Sequence, residues 1–470
     1  MNQKLNTALN SLLEKSVKSA DYSEAFEVGS YLLEQRALEK RNLKQLMTAA
    51  MRTRNRRVLL NLFLNKEKSE GLISLEKGLV ASLFYQLKNE EKCAEYALQY
   101  SRENVISKSR EGKLKVLILQ TFASGAFNFN AKRQSFHMPD GHNNLMSVLD
   151  GNIQKIILRV DDVDVALNGL KRQKISVDVI YNSITDPERC EVALCKAAAI
   201  CTAFPNVPVV NHPSDILATS RDNNYQRFDN IPHIVYPKNI RLENVNKNCH
   251  GLIKDAVEKH QLKFPLIARL SGYHVGRNMH LIESIDQHDF ADFETIVSQT
   301  PKDIYLIEYV DVSFKDDRLP DTKLYPKYRA LFTGGKLFPI HLFVADNDFN
   351  VHLSNSEKLM ESNPWLTDMG VNYCNFPEES IGVENWKALE EIMQQTGLDY
   401  VGVDFALSQE ESRKGVVIFE INAAMRNSMR SKNMPMYVKK CWRQVTDRIH
   451  HLLCDKAKLP VWDFDLSMNS

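Results

Sequence analysis

The sequence predicts a protein of mixed α/β and α+β class. An all-α region comes first, then a region built on a parallel sheet, then a region of paired strands. Three observations carry this. Residues 1–112 place apolar residues at three- and four-residue spacing; between 113 and 236 short β-rich runs alternate with segments long enough for crossovers; beyond 237 strand runs meet across glycine or polar turns. At 470 residues the chain is too long for a single core.

In the first region the helical spacing is clearest in 24–35, 43–51, 57–65 and 75–86. The stretch 77–100, KGLVASLFYQLKNEEKCAEYALQY, resembles a tetratricopeptide unit. Ala81, Leu83 and Tyr85 would face a partner helix, Lys88, Asn89 and Glu90 would turn the chain, and Ala94 and Ala97 would allow close packing. A plain helical bundle is the equal alternative. Either form suits a module that docks a protein or peptide.

The second region (113–236) contains KVLILQ (115–120), KIILRV (155–160), VDVIYN (177–182) and VPVVN (207–211), with a strong helix over 187–203. Such alternation predicts a parallel sheet under helices. The Asn- and Gly-rich segment 121–144 follows the first strand, at the sheet end where ligands collect. There is no GxGxxG, which argues against a dinucleotide fold.

Two further segments follow, 237–311 and 312–470. Their strand runs are PLIARL (265–270), IYLIEYV (304–310), KYRALFTGGKLFPIHLFV (327–344), YVGVDFAL (400–407) and GVVIFEINA (415–423). Gly334-Gly335 is a two-residue hairpin signal. Helices are expected over 384–396 and 435–454, and 346–380, with few periodic features, is expected to be a loop or lid.

Composition narrows the function. Sixty basic residues oppose 59 acidic ones, for a net charge of +1, and no basic tract stands out, so a nucleic-acid partner is not expected. The N-terminus lacks the apolar core of a signal peptide and no stretch is long enough to span a bilayer. The eight cysteines show no CxxC and no zinc-like spacing, which reads as reduced thiols in a cytoplasmic protein, with Cys195 and Cys201 as small buried hydrophobes.

The most informative residues are Asp404, Glu420 and Asn422. If the hairpin joining their strands pivots near Ser412, facing residue numbers sum to 824, so Asp404 meets Glu420 and Asn422 lies on the same face. Val403, Phe405, Phe419 and Ile421 would face the other way. Two carboxylates and a carboxamide on one face would repel unless a cation lies between them, and oxygen-only ligands suit magnesium. Upstream, Arg269-Leu270-Ser271-Gly272-Tyr273-His274-Val275-Gly276 follows a strand with two glycines four apart, a loop able to turn backbone N–H groups toward phosphate. Lys238 and Arg269 each sit where a strand could aim a cation into the same cleft.

These elements, in this order, resemble the ATP-grasp superfamily over roughly 113–450, with 113–236 similar to the α/β domain that precedes it. The resemblance implies ATP with magnesium, or manganese in its place, and a ligase that joins a carboxylate to an amine through an acyl phosphate. It implies Lys238 and Arg269 on the α- and β-phosphates and Ser271, Gly272 and Gly276 in the phosphate loop. It further implies Glu308 with the backbone of Tyr309 and Val310 on adenine, Asp311 on ribose, and Asp404, Glu420 and Asn422 on the metal. Arg329 would stabilise the transferring phosphoryl group, and Arg426, beside Asn427, would recognise a carboxylate, with Arg430 a weaker candidate. The substrates would be an amino acid, a peptide or a protein terminus, with no nucleic acid and no membrane. The family's second phosphate-binding position is usually lysine; here it is Arg269, which can bind phosphate bidentately. EINAAMRNS also lacks the proline-glycine often found after the last asparagine. His341 reads as a hydrogen-bonded packing residue. Alternatives to the ligase are a non-catalytic ATP-binding regulator or a phosphotransferase.

Overall fold

A computed structural model describes residues 3–138, 140–273, 276–287, 289–410, 414–431 and 434–464. The N-terminal apolar spacing becomes α1 (Gln3–Lys18), α2 (Tyr22–Glu34), α3 (Leu43–Arg52), α4 (Arg56–Glu70), α5 (Ser74–Gln86) and α6 (Glu90–Glu103). Their inward stripes share one core that includes Phe26, Leu46, Met47, Leu59, Phe63, Leu79, Leu83 and Tyr96. The Asn89 side chain caps α6 by accepting the Lys92 N–H at 2.9 Å, so the break between α5 and α6 falls on the expected turn residues. The stretch read as a tetratricopeptide unit is thus a pair of helices.

The chain then forms β1 (Ile106–Lys108), β2 (Leu114–Gln120), β3 (Asn128–Asn130), β4 (Ser135–His137), β5 (Ile153–Arg159) and α7 (Val163–Arg172). It divides into two compact units. The first comprises Met1–Ser109, Ile118–His142 and Ile156–Ser176. Within it the strands run β1-β5-β2, and β1 is antiparallel to β5. The β3–β4 hairpin delivers Phe129 and Phe136 to the helical core beside Phe122 and Phe127; the Tyr100 and Phe136 rings lie 5.1 Å apart. The Asp161 carboxylate fixes the start of this segment, accepting the Phe122 N–H at 3.0 Å and the Ala123 N–H at 3.1 Å. The phenylalanines of 121–144 therefore pack into the helical core rather than facing a ligand, as apolar burial favours.

The second unit comprises Arg110–Leu117, Asn143–Lys155 and Val177–Ser470. There the order is β5-β2-β6-β7, with β6 (Val179–Asn182) parallel to β7 (Val209–Val210) and α8 (Glu191–Thr202) crossing between them. Next come α9 (Pro213–Leu217), α10 (Arg221–Phe228), β8 (Ile234–Val235), β9 (Asn239–Val245), α11 (Cys249–His260), β10 (Leu266–Leu270), β11 (Met279–Ile282), α12 (Ala291–Gln299) and β12 (Lys302–Glu308). Four of these strands make a sheet of order β11-β10-β12-β9. Helices α11 and α12 cover one face through Ile253, Phe293, Leu266, Ala268, Ile304 and Leu306.

The last sheet uses β13 (Leu324–Thr333), β14 (Lys336–Asp346), β15 (Tyr400–Leu407) and β16 (Val416–Asn422) in the order β14-β13-β15-β16-β8. Gly334 and Gly335 turn the β13–β14 hairpin at φ +54° and +80°, a backbone that a side chain would strain. Between β14 and β15 lie α13 (Leu353–Ser362), α14 (Pro364–Asn375), α15 (Pro377–Ile381) and α16 (Val383–Gln395), and α17 (Met436–Ala457) follows β16. The expectation of a loop over 346–380 is corrected. Pro364 and Pro377 open helices, where a missing N–H costs nothing, and α14 buries Leu366, Gly370 and Tyr373 at helical spacing. Tyr373 packs edge-on against Tyr328, Phe405 and Trp386.

All eight cysteines are free. Cys201 is buried as expected, but Cys195 lies on the outer side of α8 and is exposed. Among the described residues no helix is long and apolar enough to cross a membrane.

Candidate functional site

The β15–β16 hairpin holds the register its sequence implies. Asp404 faces Glu420 and Gly402 faces Asn422, both pairs summing to 824; Ser412 lies outside the described residues. Next to Asp404 the pairing shifts, and Phe405 faces Ile418 rather than Phe419. This β-bulge corrects one expectation: Phe419 does not join Val403, Phe405 and Ile421 on the helix-covered face. It packs instead with Val417, Ala406, Val235, Val310 and Val312, a small apolar cluster that includes the position two residues past Asp404 on its own face.

The row extends across the sheet. His341, Arg329, Asp404 and Glu420 face one another on four adjacent strands. The Arg329 guanidinium grips Asp404 bidentately, Nε to Oδ1 at 2.6 Å and Nη2 to Oδ2 at 2.7 Å. Burial alone would raise the Asp404 pKa, but Arg329, and after it Lys327 and His341, hold it well below the usual carboxylate range. Glu420 pairs with Arg221, from the first turn of α10, at 2.5 Å, and its Oε1 also accepts Asn422 Nδ2 at 3.1 Å. Burial works against the Arg221 charge, but Glu420 and Glu188 more than offset it and its pKa is raised. The repulsion expected to call for a metal is therefore met by two guanidinium groups. The oxygen donors still suit a hard divalent cation, since Asp404, Glu420 and Asn422 share a face. Among the described residues no group of three or more His, Cys, Asp or Glu side chains could hold a metal, so any ion here would need Asn422 and ligand oxygens.

Lys327 precedes Arg329 by two residues on the same face, and its ammonium bonds the Val351 carbonyl. Burial lowers its pKa, and Asp404 offsets this only in part. His341 is 4% exposed and neither ring nitrogen has a hydrogen-bond partner, which corrects its reading as a hydrogen-bonded packing residue. Burial, then Arg329, pushes its pKa well below the ordinary histidine value.

The β11-β10-β12-β9 sheet sorts the remaining residues by face. Arg269, Tyr305 and Arg241 face one another across three strands, opposite the helix-covered side. Arg269 donates to the Tyr273 carbonyl at 2.7 Å, and burial followed by the like charge of Arg221 brings its pKa down to about 10. Lys238 does not share that side. Its ammonium bonds the carbonyl of His260, at the end of α11, at 2.6 Å, where the helix dipole favours a cation. The expectation that Lys238 and Arg269 enter one cleft is corrected: the strand alternation that turns Ile240 and Leu242 toward α11 takes Lys238 with them.

In the loop after β10, Ser271 donates its N–H to the Asp303 carbonyl at 2.9 Å. Gly272 (φ +71°) donates its N–H to Glu188 at 2.9 Å and its carbonyl accepts Arg189 at 3.0 Å. Gly276 (φ +63°) packs on Asn350, while His274 and Val275 lie outside the described residues. At the hinge, Glu308 accepts the Lys263 N–H at 3.0 Å and Asp311 pairs with Lys323 at 2.7 Å. The Tyr309 N–H is committed to the Pro265 carbonyl at 2.9 Å, and Val310 packs against Val235, Val312, Ala406 and Val417. Arg426 and Arg430 are exposed. Asn427 is a structural tie, bonding Asn144 on both sides of its peptide and Thr446 through its side chain.

Arg221, Lys327 and Glu188 were not singled out from the sequence. Lys327 was legible, sharing strand parity with Arg329. Arg221 and Glu188 come from helical and loop segments with no local signal.

No family model matches the chain, and no curated protein matches it. Among solved structures it is similar to D-alanine–D-alanine ligase from Bacillus anthracis, at 10% identity and TM-score 0.41, over 73% of this chain and 99% of that one. It is also similar to carboxyaminoimidazole ribonucleotide synthase from Aspergillus clavatus complexed with ATP (14% identity, TM-score 0.37, 74% and 78% covered). A third is ATP-grasp ligase PsnB complexed with its precursor peptide PsnA2 and AMPPNP (11% identity, TM-score 0.31, 60% and 78% covered).

Proposed function

We propose that the chain is an ATP-dependent ligase of the ATP-grasp type that activates a carboxylate as an acyl phosphate and joins it to an amine, releasing ADP and phosphate. The observation that supports this most is one face carrying the Arg329–Asp404–Glu420 row, with Asn422, beside the apolar cluster of Val310, Ala406, Val417 and Phe419. Near it lie two desolvated cations, Arg269 and Lys327, neither with a carboxylate at ion-pair distance among the described residues. Apolar residues suit a base, unpaired buried cations suit a polyphosphate, and the oxygen donors suit its metal.

In this reading the apolar cluster holds adenine and Arg269 holds the inner phosphates. Arg329 and Lys327 orient the terminal phosphoryl group while a carboxylate oxygen attacks phosphorus and ADP leaves with the bonding pair. The amine then attacks the acyl carbon and phosphate departs. Arg329 would stabilise the charge that develops, and Arg426 would recognise a carboxylate. Asp404, Glu420 and Asn422 would hold magnesium, which neutralises phosphate charge when bound. Lys238 stays at the end of α11 and takes no part. The N-terminal helices would recruit a peptide or protein substrate.

Phosphorus NMR of the protein with magnesium–ATP and a metabolite and peptide extract, beside Glu420→Gln, tests the proposal. ADP and free phosphate should appear only with wild-type protein and extract. ATP left intact in every mixture would count against it.

A further inference from the structure

The loop that should meet phosphate already meets an anion. Gly272, in the left-handed region at φ +71°, points its N–H at Glu188 Oε2, 2.9 Å away. Arg189, the next residue, holds the other side of the same glycine through its carbonyl at 3.0 Å. The loop is bound from within as well: Arg269 donates to the Tyr273 carbonyl and Ser271 is tied to Asp303. The Glu188 carboxylate is thus hydrogen-bonded to a backbone amide in the loop that carries the Arg269 contact, and its charge is felt by both Arg269 and Arg221. A left-handed glycine amide that already binds a carboxylate, whose charge two guanidinium groups feel, has the chemistry to take a phosphate oxygen.

We propose that Glu188 is an internal competitor of the nucleotide: its carboxylate occupies the phosphate position at the Gly272 amide and must leave it when a triphosphate binds. The inference rests on the ATP reading above and deepens it. Glu188 and Arg189 belong to the segment after β6, so the exchange couples nucleotide binding to that sheet end. The competitor also accounts for Arg269 remaining buried without a carboxylate of its own, since Glu188 supplies negative charge nearby until phosphate replaces it.

The test is calorimetric titration of the full chain with magnesium–AMPPNP and, separately, with tripolyphosphate. Wild type is compared with Glu188→Gln and Asp222→Asn. Asp222 lies near Arg241 and Tyr305 and makes no hydrogen bond to the described residues of the loop, so it controls for loss of a nearby negative charge. Glu188→Gln should tighten AMPPNP binding by about tenfold, the scale of one charge-assisted hydrogen bond freed from competition. Asp222→Asn should change it by less than about twofold. Equal or weaker binding by Glu188→Gln, or equal tightening by both variants, overturns the inference and leaves the ATP reading intact. Tightened tripolyphosphate binding without AMPPNP binding keeps the competitor and overturns the ATP reading. Binding of neither probe by any of the proteins overturns both. A complex with AMPPNP in which Glu188 still accepts the Gly272 N–H would also overturn the inference.

Discussion

On the β14-β13-β15-β16 face each acid has its guanidinium, Arg329 on Asp404 and Arg221 on Glu420. On the β10-β12-β9 face Arg269 bonds only a carbonyl and feels the like charge of Arg221. Both faces come from alternating strands, yet the first pairs both its acids, leaving Lys327 as its extra cation, while the second leaves Arg269 with no carboxylate at ion-pair distance among the described residues. A paired row can be rigid before any ligand arrives. A buried cation without a carboxylate partner is held at a cost until an anion comes, so it contributes to binding more than to folding.

The largest effect should separate the two. Arg329→Met strands a buried Asp404 and should cost about 3–5 kcal/mol in urea unfolding, whereas Arg269→Met should stay within about 1 kcal/mol of wild type. Equal losses would break the comparison. The order should reverse in part for binding: Arg269→Met should weaken magnesium–ADP by about ten- to a hundredfold by calorimetry, the value of one or two charged hydrogen bonds. His341 sharpens the contrast within the paired row. It stays unprotonated in the folded state while the unfolded chain takes up a proton below pH ~6.5, so stability falls as pH drops through that value. His341→Leu should flatten this loss, which approaches about 1.4 kcal/mol per pH unit, and add about 1 kcal/mol at pH 7 by removing unpartnered buried nitrogens. The smallest effect is Gly272→Ala, which should cost about 1 kcal/mol at its left-handed backbone. A chevron or urea series that shows no loss there would mean the loop relaxes freely.

How much of this was legible depended on how local the signal was. The Asp404–Glu420 pairing could be read because a hairpin fixes which residues meet, and the Gly334–Gly335 turn because only glycine accepts its φ values cheaply. Lys238 misled because it sits one residue before β9, where parity, not proximity to a strand, decides its face. The helices over 353–381 were hidden because they are short and bury few residues each, Ser356 and Met360 on α13 and Ile381 on α15, so little apolar periodicity builds up. Arg221 and Glu188 reach the site through tertiary packing alone, which no window of sequence contains.

The bulge at Phe419 has a consequence for how the site tolerates insertions and deletions. On one side of it facing residues sum to 824, on the other to 823, so the turn at 408–415 and the acids follow different registers. Lengthening the turn adds residues beyond the bulge and leaves Asp404 opposite Glu420. Deleting Phe419, the extra residue, would leave a regular ladder with Asp404 opposite Glu420 and Phe405 opposite Ile418, and would remove only the ring that packs in the apolar cluster. A change of length in the turn or at position 419 should therefore spare the acid pairing, and loss of Phe419 should be felt in the apolar cluster instead.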